Sequence, residues 1–346
     1  MKIKYFLVLV LVLSLFIGTQ DVFAGGRKLG TAGAAELLIP MGARNVAMGG
    51  ADIASVRNTE AMYWNPAGLS VLQGSEAKFT YMNYFADMNV SYFALGTQLG
   101  SFGVAGLSLQ ALDIGDIPVT TISNPEGTGE MLRPNFITLN ATFSKAFTDR
   151  INFGLNTKII SEKVGEMSAS AVAFDFGLQY RSPMGVNFGV VMRNYGSNLQ
   201  FGGTPVEFNT DIPFANPNAT TRITKLDMAS HELPASLNMG LSYRYNFTED
   251  HSVNISGLYN NSNYALDEIN TGLEYSFRDF FFLRGGYNAP LYSDNFPEDA
   301  KEYQFGLNFG FGLQLDLGAG NMMFDYAYRE METFDAVQYF TVGFGF

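Results

Sequence analysis

The chain has 346 residues, of which 47% are hydrophobic and 14% aromatic, with 31 Phe, no Cys and a formal net charge of −12. Without cysteine there are no disulfides, thiolate metal sites or lipid-anchored N-terminal cysteine, and the acidic balance argues against nucleic acid, whose phosphates need clustered Lys and Arg. After the N-terminus no window approaches the roughly twenty apolar residues of a spanning helix, so a membrane crossing would have to be made by strands.

The first element is a leader. Lys2 and Lys4 form a positive start, Tyr5 to Ile17 an apolar stretch too short to span comfortably, and Val22-Phe23-Ala24 offers the small residues a signal peptidase reads. Residues 1–24 are therefore expected to be a signal peptide cut between Ala24 and Gly25, leaving a mature chain exported to the cell outer membrane of a Gram-negative envelope.

Residues 25–75 do not alternate. They hold nine glycines, the small-residue run Gly42-Ala43-Arg44-Asn45-Val46-Ala47-Met48-Gly49-Gly50-Ala51 and then Ala61-Met62-Tyr63-Trp64-Asn65-Pro66-Ala67-Gly68-Leu69. The stretch is too apolar for a free tail and too short for a domain, so its expected place is inside a barrel, as a plug. Asn65 is a favoured helix N-cap, Pro66 is preorganised for the first helical position and Gly68 permits close backbone approach, which predicts a short capped turn.

From residue 76 onward the period is two. Ile151, Phe153, Leu155 and Ile159 alternate with Asn152, Gly154, Asn156 and Lys158; Val172, Phe174, Phe176, Leu178 and Tyr180 alternate with Ala173, Asp175, Gly177, Gln179 and Arg181; Tyr303, Phe305, Leu307, Phe309, Phe311 and Leu313 do the same against polar and glycine neighbours. One face is large and apolar; the other is Gly, Asn, Gln, Ser and isolated charges, the pattern of lipid outside and a polar lumen inside. Strands are expected near 76–85, 89–99, 102–114, 135–147, 151–161, 170–181, 185–195, 235–247, 251–260, 268–277, 280–288, 302–316, 321–329 and 337–346. This is an all-β fold: a 14-stranded antiparallel transmembrane β-barrel over 76–346, with the N-terminal plug in its lumen. Every second connection is tiny, such as Gly100-Ser101, Thr148-Asp149-Arg150 and Arg278-Asp279, while 115–134 and 196–234 are long. Short periplasmic turns and longer extracellular loops are the rule for bacterial barrels.

The last strand sets Phe340, Val342, Phe344 and Phe346 against Thr341, Gly343 and Gly345. Outer-membrane proteins typically end on such an aromatic residue, so Phe344 and Phe346 are expected to serve as the signal for the barrel-assembly machinery.

The segment from Gly42 to Leu69 resembles the N-terminal region of the FadL-like outer-membrane proteins, and more closely their PorV/PorQ branch from type IX secretion. The resemblance implies that Arg44, Trp64, Asn65, Pro66, Ala67 and Gly68 form the plug motif. FadL-type members imply a hatch inside the barrel and a hydrophobic ligand, such as a long-chain fatty acid, that leaves sideways through a gap in the wall. PorV-type members imply a shuttle that takes secreted cargo domains to other type IX components. The residue after Asn-Pro-Ala is Gly68, as in the wider family, where PorV itself tends to have Lys. The chain also lacks a strongly apolar extracellular loop of the FadL kind, since 196–234 is mostly polar with Leu199, Phe201, Phe208 and Phe214 scattered.

Catalysis is not expected: His231 and His251 are the two histidines, and a strand spanning on the order of 25 Å separates them. By parity Lys158, Arg193, Arg244, Arg284 and Arg329 face inward, as do Asp175, Glu274, Asp316 and Asp325. Charges in a confined lumen must find partners, so these are expected to fasten the plug; the alternative is that one or two cations hold a ligand carboxylate. Asp294, Glu298 and Asp299 in one loop could bind a divalent cation or bridge lipopolysaccharide through one, but hard cations need several oxygens converging at fixed geometry and a solvated loop is the expectation; Met322 and Met323 face opposite sides, and no metal and no cofactor is expected. The expected surroundings are outer-membrane lipid and lipopolysaccharide. Two functions stand: a type IX cargo-binding or shuttle component, and a transporter of hydrophobic small molecules.

Overall fold

The computed structural model describes residues 28, 30–204, 207–211, 221–292, 303–318 and 320–346; the expected leader and cleavage point and the acidic group Asp294, Glu298 and Asp299 lie outside the described residues. Fourteen long strands form the wall: β1 (Ser75–Asn83), β2 (Asn89–Gln98), β3 (Val104–Asp113), β4 (Asn135–Ala146), β5 (Ile151–Val164), β6 (Met167–Arg181), β7 (Val186–Gly196), β8 (Ser236–Asn246), β9 (His251–Ser262), β10 (Asp267–Phe277), β11 (Phe281–Leu291), β12 (Phe305–Asp316), β13 (Asn321–Met331) and β14 (Val337–Gly345). Each is antiparallel to the next, and β1 pairs with β14 from Glu76↔Gly345 to Asn83↔Gln338, so the sheet closes without a free edge. Closure satisfies every strand's backbone within the sheet, which a wall in hydrocarbon requires. Phe79, Phe93, Leu107, Leu139, Phe176 and Phe309 stand outward and exposed, forming the apolar lipid-facing band. The short turns mark the periplasmic end by the same rule.

Two expectations about the wall are corrected. Residues 162–169 are not a loop: β5 and β6 continue to Val164 and from Met167, with Lys163 opposite Ser168, and turn at Gly165, where φ is +62°. The large outward side chains give way there to Ser161, Lys163, Ser168 and Ser170, so the hydrophobic period falls silent while the backbone ladder continues. Tyr303 and Phe305 do not face lipid. A register shift between Phe305 and Asn308 turns this end of β12 inward, where Tyr303 Oη donates to Glu268 Oε1 at 2.8 Å and Phe305 joins the lumen core. Within the two long loops, short ribbons pair Ile117–Pro118 with Met131–Leu132 and Glu207–Asp211 with Thr221–Lys225.

Inside the barrel, Thr31 to Leu72 descends from the extracellular mouth to the periplasmic rim through α1 (Ala43–Ala47), α2 (Ala61–Trp64) and 3-10 turns at Ala35–Leu38, Asn58–Glu60 and Pro66–Val71. Its lower part lies against the wall's backbone. A Cβ added at Gly189 would stand 2.7 Å from Ala54 Cα, one at Gly240 2.6 Å from Ile53 Cγ1 and one at Gly272 2.5 Å from Met48 O; Gly154, Gly177 and Gly286 meet Pro66, Asn65 and Gly49 more closely still. Each interior glycine weakens a strand by about 0.5–1 kcal/mol relative to Ala. Here a belt of them, each on a different strand, is what lets the plug backbone reach the wall.

Candidate functional site

Asn65 organises the middle of the plug. Its Oδ1 accepts from the Ala67 N–H at 3.2 Å, capping the turn that Pro66 begins, while its Nδ2 donates to Ile53 O at 3.0 Å and to Leu178 O on the wall at 3.2 Å. Trp64 Nε1 donates to Met41 O at 2.7 Å, and Tyr63 Oη to Ile39 O at 2.7 Å. Gly68 lies so near Val56 O that no side chain fits. The motif therefore ties three passes of the plug to one another.

Below Gly42 the contact with the wall is ionic. Arg44 reaches Glu274 from Nε at 3.0 Å and Asp52 from Nη2 at 3.0 Å; Glu274 also accepts from Arg284 at 2.7 Å, and Arg284 reaches Asp325 at 2.7 Å. Lys78 on β1 lies 3.6 Å from Glu60 of the plug and 3.9 Å from Glu76. Removing such charges from water costs several kcal/mol per ion, so they persist only in an alternating array. A vestibule of about 330 Å³ opens beneath, lined by Arg44, Arg57, Arg244, Glu274 and Arg284 among others.

Above Gly42 the contact is apolar. Ile39 and Met41 are buried in one cluster with Met82, Val90, Leu112, Val337 and Tyr339 of the wall, and Leu37 is buried in another with Ile160, Ala171 and Leu199. This corrects the expectation of a uniformly polar inner face: the alternation is kept, but an apolar patch on β1, β2, β3 and β14 interrupts it beside buried polar Gln110, Thr138 and Glu162. Each buried Leu, Ile or Met side chain contributes about 1.5–3 kcal/mol. A cavity of about 20 Å³ is left between Leu37, Met62, Tyr63, Tyr92 and Lys158, room for about one water.

At the boundary between the halves lies a second charged group. Lys158 and Asp175 are 2.7 Å apart, Lys158 donates to Asn194 Oδ1 at 2.7 Å, and Asp175 accepts from the Asn194 N–H at 2.8 Å. Asn194 has φ of +56°, and the β6–β7 ladder shifts register between Phe174 and Phe176, so β7 is kinked at this point. Beside it Arg193, 9% exposed, stacks 4.4 Å over the Tyr63 ring, and its Nε and Nη2 have no hydrogen-bond partner. Two cations face one carboxylate here.

The remaining residues chosen by parity are scattered. Arg244 faces the vestibule, where it meets Asp279 at 2.8 Å with both side chains exposed, and so stands outside the plug network. Arg329 lies at the extracellular end, 3.6 Å over the Phe305 ring. Asp316 is not in the lumen: it is exposed and accepts the Gly318 N–H at 2.8 Å in a periplasmic turn. His231 Nδ1 lies 3.4 Å from Thr31 O at the outer mouth and His251 Nδ1 2.7 Å from Tyr275 Oη near the other. Phe344 and Phe346 point outward at the periplasmic rim with ring centroids 5.9 Å apart. Sequence reasoning missed Asp52, Glu60, Glu76 and Lys78. Outward Phe79 and Tyr81 fix the parity of β1, which would have placed Glu76 and Lys78 inside; nothing in the plug's sequence marks Asp52 or Glu60.

This architecture, a fourteen-stranded antiparallel barrel around an N-terminal helical plug, is the FadL-like fold. Solved structures share it: the CymD monoaromatic hydrocarbon channel (TM-score 0.55, 13% identity, 89% of this chain and 97% of that one), the Ralstonia pickettii toluene transporter TbuX (0.54, 13%, 88% and 97%) and a Pseudomonas aeruginosa FadL homologue (0.54, 10%, 88% and 97%). No protein-family model matches the chain, and no curated protein sequence matches it.

Proposed function

We propose that the chain is an outer-membrane channel for hydrophobic compounds, in which plug residues 34–41 occupy the apolar half of the lumen that the compound enters. The observation that carries this is the pair of apolar clusters around Leu37 and around Ile39 and Met41, bordered by the buried guanidinium of Arg193, which stacks on Tyr63 while its Nε and Nη2 have no hydrogen-bond partner. An incoming compound replaces these side chains without loss of apolar contact, and Arg193, with Lys158, receives its polar end. The kink at Asn194 is where the wall ladder is already broken beside that site, and it is the place we assign to a sideways exit. Proteins of the same fold described as a monoaromatic hydrocarbon channel and a toluene transporter support the substrate class.

The test is uptake by cells with and without the chain, using a labelled long-chain fatty acid and labelled toluene. Leu37→Ala with Ile39→Ala should raise uptake of both, and Arg193→Gln should lower uptake of the acid about tenfold while sparing the hydrocarbon. Equal uptake by cells with and without the chain overturns the reading.

A second reading, the type IX cargo-binding component, draws support from the extracellular loops, where Ile122, Met131, Ile223 and Leu226 stand exposed. Replacing 199–230 with a short Gly and Ser linker then abolishes cargo secretion while the barrel folds. Normal secretion with impaired uptake in Arg193→Gln rejects this reading.

A further inference from the structure

The small cavity beside Leu37 meets more polar atoms than its neighbours satisfy. Two rows of inward side chains cross the wall there: Tyr92, Gln110 and Thr138 stand opposite one another on β2, β3 and β4, and Ser108, Asn140 and Lys158 do so on β3, β4 and β5. All six face the cavity, with Leu37, Met62 and Tyr63 of the plug on its other side. Tyr92 Oη, Thr138 Oγ1 and Asn140 Oδ1 are buried without a hydrogen-bond partner, Tyr92 Oη approaching Ser108 without completing a bond. The other groups are committed. Asn140 Nδ2 donates to Ser108 Oγ at 3.3 Å and to Thr142 Oγ1 at 3.2 Å, Gln110 Nε2 to Glu36 O at 2.9 Å, and Lys158 is bonded to Asp175 and Asn194. What remains is neutral: one carbonyl oxygen that accepts and two hydroxyls that donate or accept. Burying a polar group in this way is costly, and three of them border a cavity of about 20 Å³, which has room for one oxygen atom.

We propose that this cavity recognises a hydroxyl group, and that the compound admitted in place of Leu37 is a hydroxylated aromatic of the phenol class. The inference rests on the hydrophobic-compound reading and narrows it. The ligand O–H donates to Asn140 Oδ1 and accepts from Thr138 Oγ1 or Tyr92 Oη, which supplies the missing partners. The ring takes the volume of the buried Leu37 side chain, beside aromatic neighbours already set edge to face: Tyr63 and Tyr92 at 6.4 Å and 79°, Tyr63 and Trp64 at 5.1 Å and 78°. Aromatic rings favour such contacts, so a ring is held better there than an alkyl chain. A carboxylate does not suit the cavity, because Asn140 Oδ1 opposes it; the charged end of an acid belongs at Arg193, stacked on Tyr63. Toluene matches phenol in size but sets a methyl group against three polar atoms. A site built to bond a hydroxyl rejects the analogue that lacks it.

The test uses the full mature chain folded in detergent, with folding checked by heat modifiability on a detergent gel. Trp64 is the single tryptophan and touches Tyr63, so its fluorescence, excited where phenol does not absorb, reports binding at the cavity. Phenol should bind at least about tenfold more tightly than toluene. Thr138→Val and Asn140→Leu each remove one unpartnered group at similar volume. Each should weaken phenol about tenfold and strengthen toluene, so that the preference is lost. Toluene bound as tightly as phenol by the unaltered barrel overturns the proposal and leaves the hydrophobic-compound reading in place. Folded variants that keep the full preference for phenol overturn it too. Binding of neither compound removes the reading on which the proposal rests, and the proposal with it.

Discussion

The two halves of the plug are held by different physics. From Gly42 to Leu72 the chain touches the wall backbone to backbone across a belt of glycines, and its charges are bound into the Arg44–Glu274–Arg284–Asp325 array. From Thr31 to Met41 it is held by apolar burial and a few single hydrogen bonds, such as Gln110 Nε2 to Glu36 O at 2.9 Å. Directional and close-packed contacts have one solution and resist exchange, whereas apolar contacts are non-directional and can be given up to another apolar body at little cost. The difference teaches that the lower half is the seal and the upper half the replaceable part.

The largest effect should come from removing both halves. Deleting 26–70 leaves a barrel whose lumen is wider than side chains alone fill, and conductance in planar bilayers should rise from a closed baseline to a large, steady current; a current equal to that of the intact protein breaks the assignment of the plug to the lumen. Next comes Gly154→Val, which forces a side chain into the Pro66 backbone. Overpacking of this kind costs about 1–3 kcal/mol, so the folded barrel should open far more often, whereas Val at Gly257, where no atom lies within 4 Å of a Cβ, should leave conductance unchanged.

Glu274→Gln leaves Arg44 and Arg284 short of one carboxylate and should destabilise the seal by on the order of 3 kcal/mol, read as a lower denaturant threshold for plug opening. An unchanged threshold shows that the array is dispensable and that the glycine contacts alone seal the barrel.

The smallest effect is a pH dependence of the upper half. Burial, and then the neighbouring Glu162 carboxylate, push the Glu36 carboxyl up to about 8 from its ordinary 4.5. The seated plug therefore holds a proton that the unseated plug releases, so the contribution is full below about 4.5 and is lost as pH rises to about 8. Opening should increase over that window, and Glu36→Gln should flatten the response. An unaltered pH profile in that variant assigns the dependence to another group.

Most of the wall was legible because a period of two needs only local information. Outward Ile151, Phe153 and Leu155 fix the strand, its face and the inward position of Lys158 together. The exceptions arose where partners override the pattern: the register shift that turns Phe305 inward depends on β13, and the β5–β6 hairpin past residue 161 is held by its ladder and not by hydrophobicity. Asn65 and Pro66 announce a capped turn through their own chemistry, but the Leu178 carbonyl that Asn65 also reaches is 113 positions away.

By itself, then, the sequence determined the barrel, its strand number and the presence of a non-alternating segment needing cover, since side-chain polarity along one strand decides which face meets lipid. Only the tertiary structure decided which charges pair, that Asp52 and Glu60 of the plug complete the ionic seal, that apolar side chains of the plug and wall meet in the upper lumen, and that Arg193 stacks on Tyr63 with no ion pair among the described residues. Those facts depend on where strands far apart in the chain stand around the closed sheet, and no local pattern encodes the distance across a lumen.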